Sequence, residues 1–158
     1  MLKPPEGVTP GKWHRFFGST ANKRAWQLAE LPPAQVDQRE LLDAAHAAAW
    51  HWQAIGTELN RMRALMLLAQ AHAMAGLGAT ALVYAAEMRA YFLAAPGTPD
   101  WERAFAHVVH ARAASAAGAA AEHALSYAQA GPAVAAIAGE EDRQIVERVF
   151  QHVPVPVG

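Results

Sequence analysis

Apolar positions recur along this chain at intervals of three and four, the spacing that keeps side chains on one face of an α-helix, and no strand signal competes with it. From Pro33 onward the pattern predicts helices over 33–55, 57–75, 79–94, 100–117, 119–130 and 140–152. Breakers mark most of the boundaries: Gly56, Gly76, Pro96, Gly118 and the pair Gly131-Pro132 each stand where a periodic run stops. Thr57 can cap the second of these helices, and Glu140, Glu141 and Asp142 place negative charge at the positive end of the last one. A short further segment is expected over 132–138.

Upstream of Pro33 the pattern is different. Pro4, Pro5, Gly7, Pro10 and Gly11 oppose regular structure, so residues 1–32 are expected to form an irregular arm with one short helix over 20–31. Trp13, Phe16, Phe17 and Trp26 would pin the arm to an all-α body over 33–152. The closing VPVPVG cannot continue a helix, and 153–158 is expected to be a flexible tail.

Composition narrows the class. With 158 residues, 53% of them hydrophobic, the chain can bury one core. Alanine first occurs at Ala21, which reinforces the division between arm and body. Thirteen basic residues face 14 acidic ones, for a net charge of −1, so no overall field draws the protein to nucleic acid or an anionic membrane. Lys3, Lys12, Arg15, Lys23 and Arg24 tilt the arm positive, which a solvated surface explains. No cysteine is present, which removes disulfides and thiolate chemistry and fits a reducing compartment. The first residues contain no apolar run of signal-peptide type, and a soluble, cytoplasmic protein is the expectation.

The stretch Leu65 to Met88 carries a more specific signal. Ala69 and Ala81 flank Gly76 at the turn, with Leu65, Leu68, Leu82 and Tyr84 as large residues around them. Ala47 and Trp50 precede Ala81 and Tyr84 by 34 positions, and Ala124 with Tyr127 repeats the pair once more. This stretch resembles the tetratricopeptide-repeat family over roughly 41–130. The resemblance implies a right-handed superhelix of antiparallel helical hairpins, with two to three degenerate repeats. Departures are plain: His72 and Ala114 occupy positions that are normally aromatic, and one extra residue separates Gly118 from Ala124.

Carried over residue by residue, the resemblance places Arg63, Met66 and Gln70 of one repeat, and Phe105, Val108, Arg112 and Ser115 of the next, along an inner groove. That implies a non-enzymatic protein-interaction module taking a peptide or helix of a partner protein. Met66 and Gln70 stand where the carboxylate-clamp members of the family need Lys and Asn, so recognition of a free peptide C-terminus is not implied.

Eight histidines stand out, at 14, 46, 51, 72, 107, 110, 123 and 152. His46, His72, His107 and His110 form the candidate set for a metal- or small-ligand-binding bundle, and Asp43 precedes His46 at carboxylate-x-x-His spacing. Arg103, one turn before His107, opposes a cation there. The competing reading is that His72, His107 and His110 fill the core with hydrogen-bonded polar groups, while Trp50 packs and Trp52 is exposed. No phosphate loop, nucleophile elbow or H-E-x-x-H motif occurs, so no cofactor and no catalytic residue is assigned. A self-associating subunit, a homo-oligomer covering its terminal faces, is the remaining alternative.

Overall fold

A computed structural model of the chain describes residues 6–157, and within them it contains seven α-helices and no strand. The helices are α1 Pro10–Ala29, α2 Gln38–Ile55, α3 Glu58–Met74, α4 Gly78–Ala94, α5 Asp100–Ala116, α6 Ala120–Ala135 and α7 Glu140–Phe150. A short 3-10 turn, Pro33–Gln35, lies between α1 and α2. The ends of the arm and tail at 1–5 and 158 lie outside the described residues.

Local chemistry accounts for most of these boundaries. Thr57 accepts from the Asn60 amide at 3.3 Å, while the Asn60 side chain accepts from the Thr57 amide at 3.1 Å. This reciprocal capping box starts α3 at the expected place. Asp37 accepts from the amides of Arg39 and Glu40, each at 3.0 Å, and delays α2 to Gln38 rather than Pro33. Helices α3 and α5 end alike. Gly76 and Gly118 take φ of 75° and 70°, and the residues after them close back on the His72 and Ala114 carbonyls, as in a Schellman cap.

Three expectations are corrected. The arm is not irregular up to residue 20, because α1 runs unbroken from Pro10. Thr9 caps it through the Lys12 amide, and a proline in the first turn has no intrahelical N–H partner to lose. Helix α6 continues through Gly131 and Pro132 to Ala135, since Ala130 and Val134 are buried on one face and their packing outweighs the broken hydrogen bond. The tail begins docked: Val153 is buried, and the His123 ring donates from Nε2 to the Pro154 carbonyl at 2.8 Å.

Packing follows chain order, with α1 on α2, α3 on α4 and α5 on α6, and with α2 on α3 and α4 on α5 across the connections. The odd helices also touch one another in sequence, α1 on α3, α3 on α5 and α5 on α7, whereas α2, α4 and α6 make at most marginal contact among themselves. Two hydrophobic clusters result. One joins α1, α2 and α3 around Leu28, Leu41 and Leu67; the larger runs from α3 to α7 around Met88, Phe92, Val108 and Val146.

Burial does not follow the 34-residue spacing. Ala47 and Ala124 face solvent, and Trp50 is 71% exposed, so the 34-residue match does not fall on equivalent packing positions. Leu41, Ala45 and Ala48 of α2 instead correspond to Ala81, Ala85 and Met88 of α4, 40 positions on. Ala81, Met88 and Phe92 correspond in turn to His123, Ala130 and Val134 of α6, 42 positions on. Helices α3 and α5 have 17 residues each and start 42 positions apart, at residues 58 and 100.

Candidate functional site

The residues expected to line an inner groove all lie on α3 and α5, and these two helices touch, but the seven side chains have different fates. Met66, Gln70, Phe105 and Val108 are buried. Trp26 of α1 packs on Phe105 with ring centroids 5.2 Å apart, and Val146, Val149 and Val153 join the same apolar cluster. A groove lined by those four residues is therefore closed by the chain itself. The cause is chemical: a methionine, a phenylalanine and a valine side by side are too apolar to leave in water, and α1 and α7 supply the cover. Gln70 lies fully buried within it, its Nε2 donating to Met74 Sδ at 3.6 Å and its Oε1 left without a partner.

Arg63 is half-exposed and already engaged. Its Nε donates to Glu102 Oε1 at 2.5 Å, and the guanidinium sits 5.9 Å from the Trp101 ring centroid. Glu102 is only 1% exposed, so Arg63 is the counter-charge that makes its burial tolerable. Nothing in the sequence links these two residues, which stand 39 positions apart.

Arg112 and Ser115 behave differently. Both are half-buried near the C-terminal end of α5, and they border a cleft of about 310 Å³ with Met74, Gly76, His152 and Pro154. Among the described residues no hydrogen bond or ion pair reaches the Arg112 guanidinium, and burial pushes its pKa down. The other arginines with buried surroundings are satisfied: Arg61 donates to the Gly56 carbonyl at 3.1 Å, and Arg89 to Gln129 Oε1 at 2.5 Å.

The histidines do not assemble as a four-membered site. His46 and His72 meet across α2 and α3, with their Nε2 atoms 3.4 Å apart and His72 Nδ1 bonded to the Leu68 carbonyl at 2.8 Å. Tyr84 of α4 packs edge-on against His72. His14 and His51 form another pair, joining α1 to α2 at 2.9 Å through Nδ1. Burial lowers the pKa of His46 and of His51, and the neighbouring histidine adds to the effect in each case. Among the described residues no three His, Cys, Asp or Glu side chains converge as metal ligands.

His107 and His110 lie apart from these, between α4, α5 and α6. Arg89 donates from Nε to His107 Nδ1 at 3.4 Å, and His110 Nδ1 is 2.7 Å from Ser126 Oγ. Burial, reinforced by Arg89, pushes both histidines down to about 4. His110 is therefore neutral near pH 7, and the half-exposed Glu122 carboxylate, 3.9 Å from its Nε2, is a polar neighbour rather than an ion-pair partner. Glu122, His110 and Ser126 fall in the order acid, base and hydroxyl, but Ser126 is 1% and His110 5% exposed, so no substrate reaches the hydroxyl. The trio ties α5 to α6.

Two expectations about tryptophan reverse, since Trp50 is exposed while Trp52 packs half-buried against α1 at Gly18. On α1 itself, Lys12, Arg15 and Lys23 flank the exposed Phe16 along the solvent side of the helix. No described helix is long and apolar enough to cross a membrane. No protein-family model matches the chain, and no curated protein or solved structure shows significant similarity to it.

Proposed function

We propose that this chain is a degenerate array of helical hairpins, similar in plan to tetratricopeptide repeats, and that it serves as a protein-interaction module. The support for the plan is the contact order, in which α1, α3, α5 and α7 form a contiguous row while α2, α4 and α6 stand behind it. The near-constant spacing of 40 to 42 positions between buried residues supports an array of hairpins, and departs from the 34-residue tetratricopeptide period. The binding surface in this reading is narrower than the sequence suggests. Met66, Gln70, Phe105 and Val108 hold the row together, Arg63 serves Glu102, and a partner segment engages the cleft bordered by Arg112 and Ser115.

The single observation that carries this reading is the half-buried Arg112 beside a cleft, with no partner of its own among the described residues. Its nitrogens are not among the buried polar atoms left without a partner, so water serves them, and an acceptor on a partner can replace that water without breaking an internal bond. The test is photo-crosslinking in cells. A photoreactive residue at Ser115 is expected to give a discrete adduct that Arg112→Glu removes. One at the exposed Val83 of α4 is expected to give none, and equal adducts at both sites would reject the surface.

A second reading, self-association, draws on Val83 and Leu125, which are 65% and 58% exposed at equivalent positions of α4 and α6. Light scattering over a hundredfold concentration range tests it, and a constant monomer mass excludes it.

A further inference from the structure

Two pairs of histidines join neighbouring helices, and their geometries differ. His14 and His51 meet through Nδ1 at 2.9 Å, an ordinary hydrogen-bond length. The Nε2 atoms of His46 and His72 are 3.4 Å apart, which is long for such a bond. That separation matches two imidazoles sharing one tetrahedral ion, since nitrogens about 2.0–2.1 Å from the metal stand about 3.4 Å from each other.

The chemistry of the second pair fits as well. His72 Nδ1 lies 2.8 Å from the Leu68 carbonyl, where only a protonated nitrogen can donate, so Nε2 of this ring carries the free lone pair. A backbone carbonyl holding the far nitrogen is the usual second contact of a metal-bound histidine. The His72 ring is also fixed in place: the residue is 6% exposed, and Tyr84 packs edge-on with centroids 5.4 Å apart. His46 stands at the surface of α2, so an ion reaches the pair from solvent and only the His46 ring has to adjust. Partial burial and His72 lower the His46 pKa, which keeps that ring neutral near pH 7 and able to ligate. The exposed Asp43 carboxylate, one turn earlier on the same helix, acts against that shift, and no arginine or lysine contributes to it. His107 and His110 differ here, because the Arg89 guanidinium beside them repels a cation.

We propose that His46 and His72 bind one divalent transition-metal ion of the zinc class through their Nε2 atoms, with its remaining positions open to water or to the Asp43 carboxylate. Imidazole ligands favour zinc, nickel and copper(II) over magnesium and calcium, which take oxygen. One such ion bridges α2 and α3 and so ties the first hairpin to the second. The site stands whether or not the chain has a protein partner.

The full, untagged chain, stripped of metal by a chelator, is titrated by calorimetry with zinc chloride, and with magnesium chloride as the control. One equivalent of zinc is expected to bind saturably, and magnesium to give no saturable heat. His46→Ala removes a surface ring and is expected to weaken zinc by about tenfold or more, while His51→Ala leaves its affinity within about twofold. His72→Gln is expected to match His46→Ala, and thermal melts check its fold; if it does not fold, His46→Ala carries the test. Copper(II) at one equivalent reads the geometry, because nitrogen hyperfine structure in its electron paramagnetic resonance spectrum counts bound imidazoles, two in the parent chain and fewer in His46→Ala. No saturable zinc binding, affinity unchanged by His46→Ala, an equal loss with His51→Ala, or a single imidazole on copper in the parent chain would overturn the assignment.

Discussion

The hairpins α3–α4 and α5–α6 share a backbone plan, with first helices of equal length and matching glycine turns, yet they are filled by opposite chemistry. Leu65 and Leu68 of the first correspond to His107 and His110 of the second, 42 positions on. Gly78, at the start of α4, corresponds to Ala120 at the start of α6. Arg63 is paired with a buried Glu102, whereas Arg112, near the other end of the same row of helices, has no described partner. A shared backbone plan therefore fixes where residues stand without fixing what they do. The neighbour each hairpin happens to have decides that.

Acid should separate the hairpins most strongly. His107 and His110 titrate near 4 in the folded chain and near 6.5 when unfolded, so the unfolded state binds more protons between those values. The stability they confer is complete above about 6.5 and is lost as pH falls through about 4, by on the order of a few kcal/mol for the two together. Urea denaturation from pH 7 to pH 4 measures this loss. Replacing His107 and His110 by leucine, the residue at the matching positions of the first hairpin, with Ser126→Ala so that no hydroxyl is stranded, should flatten the profile.

The glycine comparison comes next. A Cβ on Gly78 would overlap the Ala116 carbonyl, because the first turn of α4 lies against the last turn of α5. Gly78→Ala is expected to cost about 2 kcal/mol through overpacking, read from the denaturation midpoint. Ala120 already carries a Cβ, and Ala120→Gly should cost only the backbone propensity, about 0.5–1 kcal/mol.

The arginines give the smaller contrast. Arg63→Ala strands the buried Glu102 carboxylate, and a loss of about 2 kcal/mol is expected, less than for a fully buried pair because water reaches the Arg63 side. Arg112→Gln leaves no described partner behind, and a change within about 0.5 kcal/mol is expected. Equal losses for the two would erase the distinction between a structural and a ligand-binding arginine.

The body of this fold was largely legible because its breakers are unambiguous. Thr57, Gly76 and Gly118 each mark a helix end through backbone geometry that depends on one residue. The beginning of α1 was misread because Pro10 weighed as a breaker, whereas after Thr9 it occupies the one helical turn where proline is harmless. The 34-residue register failed for a different reason. In so alanine-rich a chain, small residues match at many offsets, and only burial separates Ala81, which packs, from Ala124, which does not. Arg112 and Ser115 were singled out through the resemblance, and the structure places both at the border of one cleft. Glu102 as the partner of Arg63 was not, since a contact across 39 positions between two helices leaves no periodic trace.

The central claim, that one arginine of the row is committed to the fold while the other borders a cleft without a described partner, is tested most directly by the arginine Nε–H signals in a nitrogen-15 correlation spectrum. The Arg63 Nε–H, which donates to the buried Glu102, is expected to exchange slowly with solvent, and the Arg112 Nε–H rapidly. Equal exchange at the two positions would contradict it.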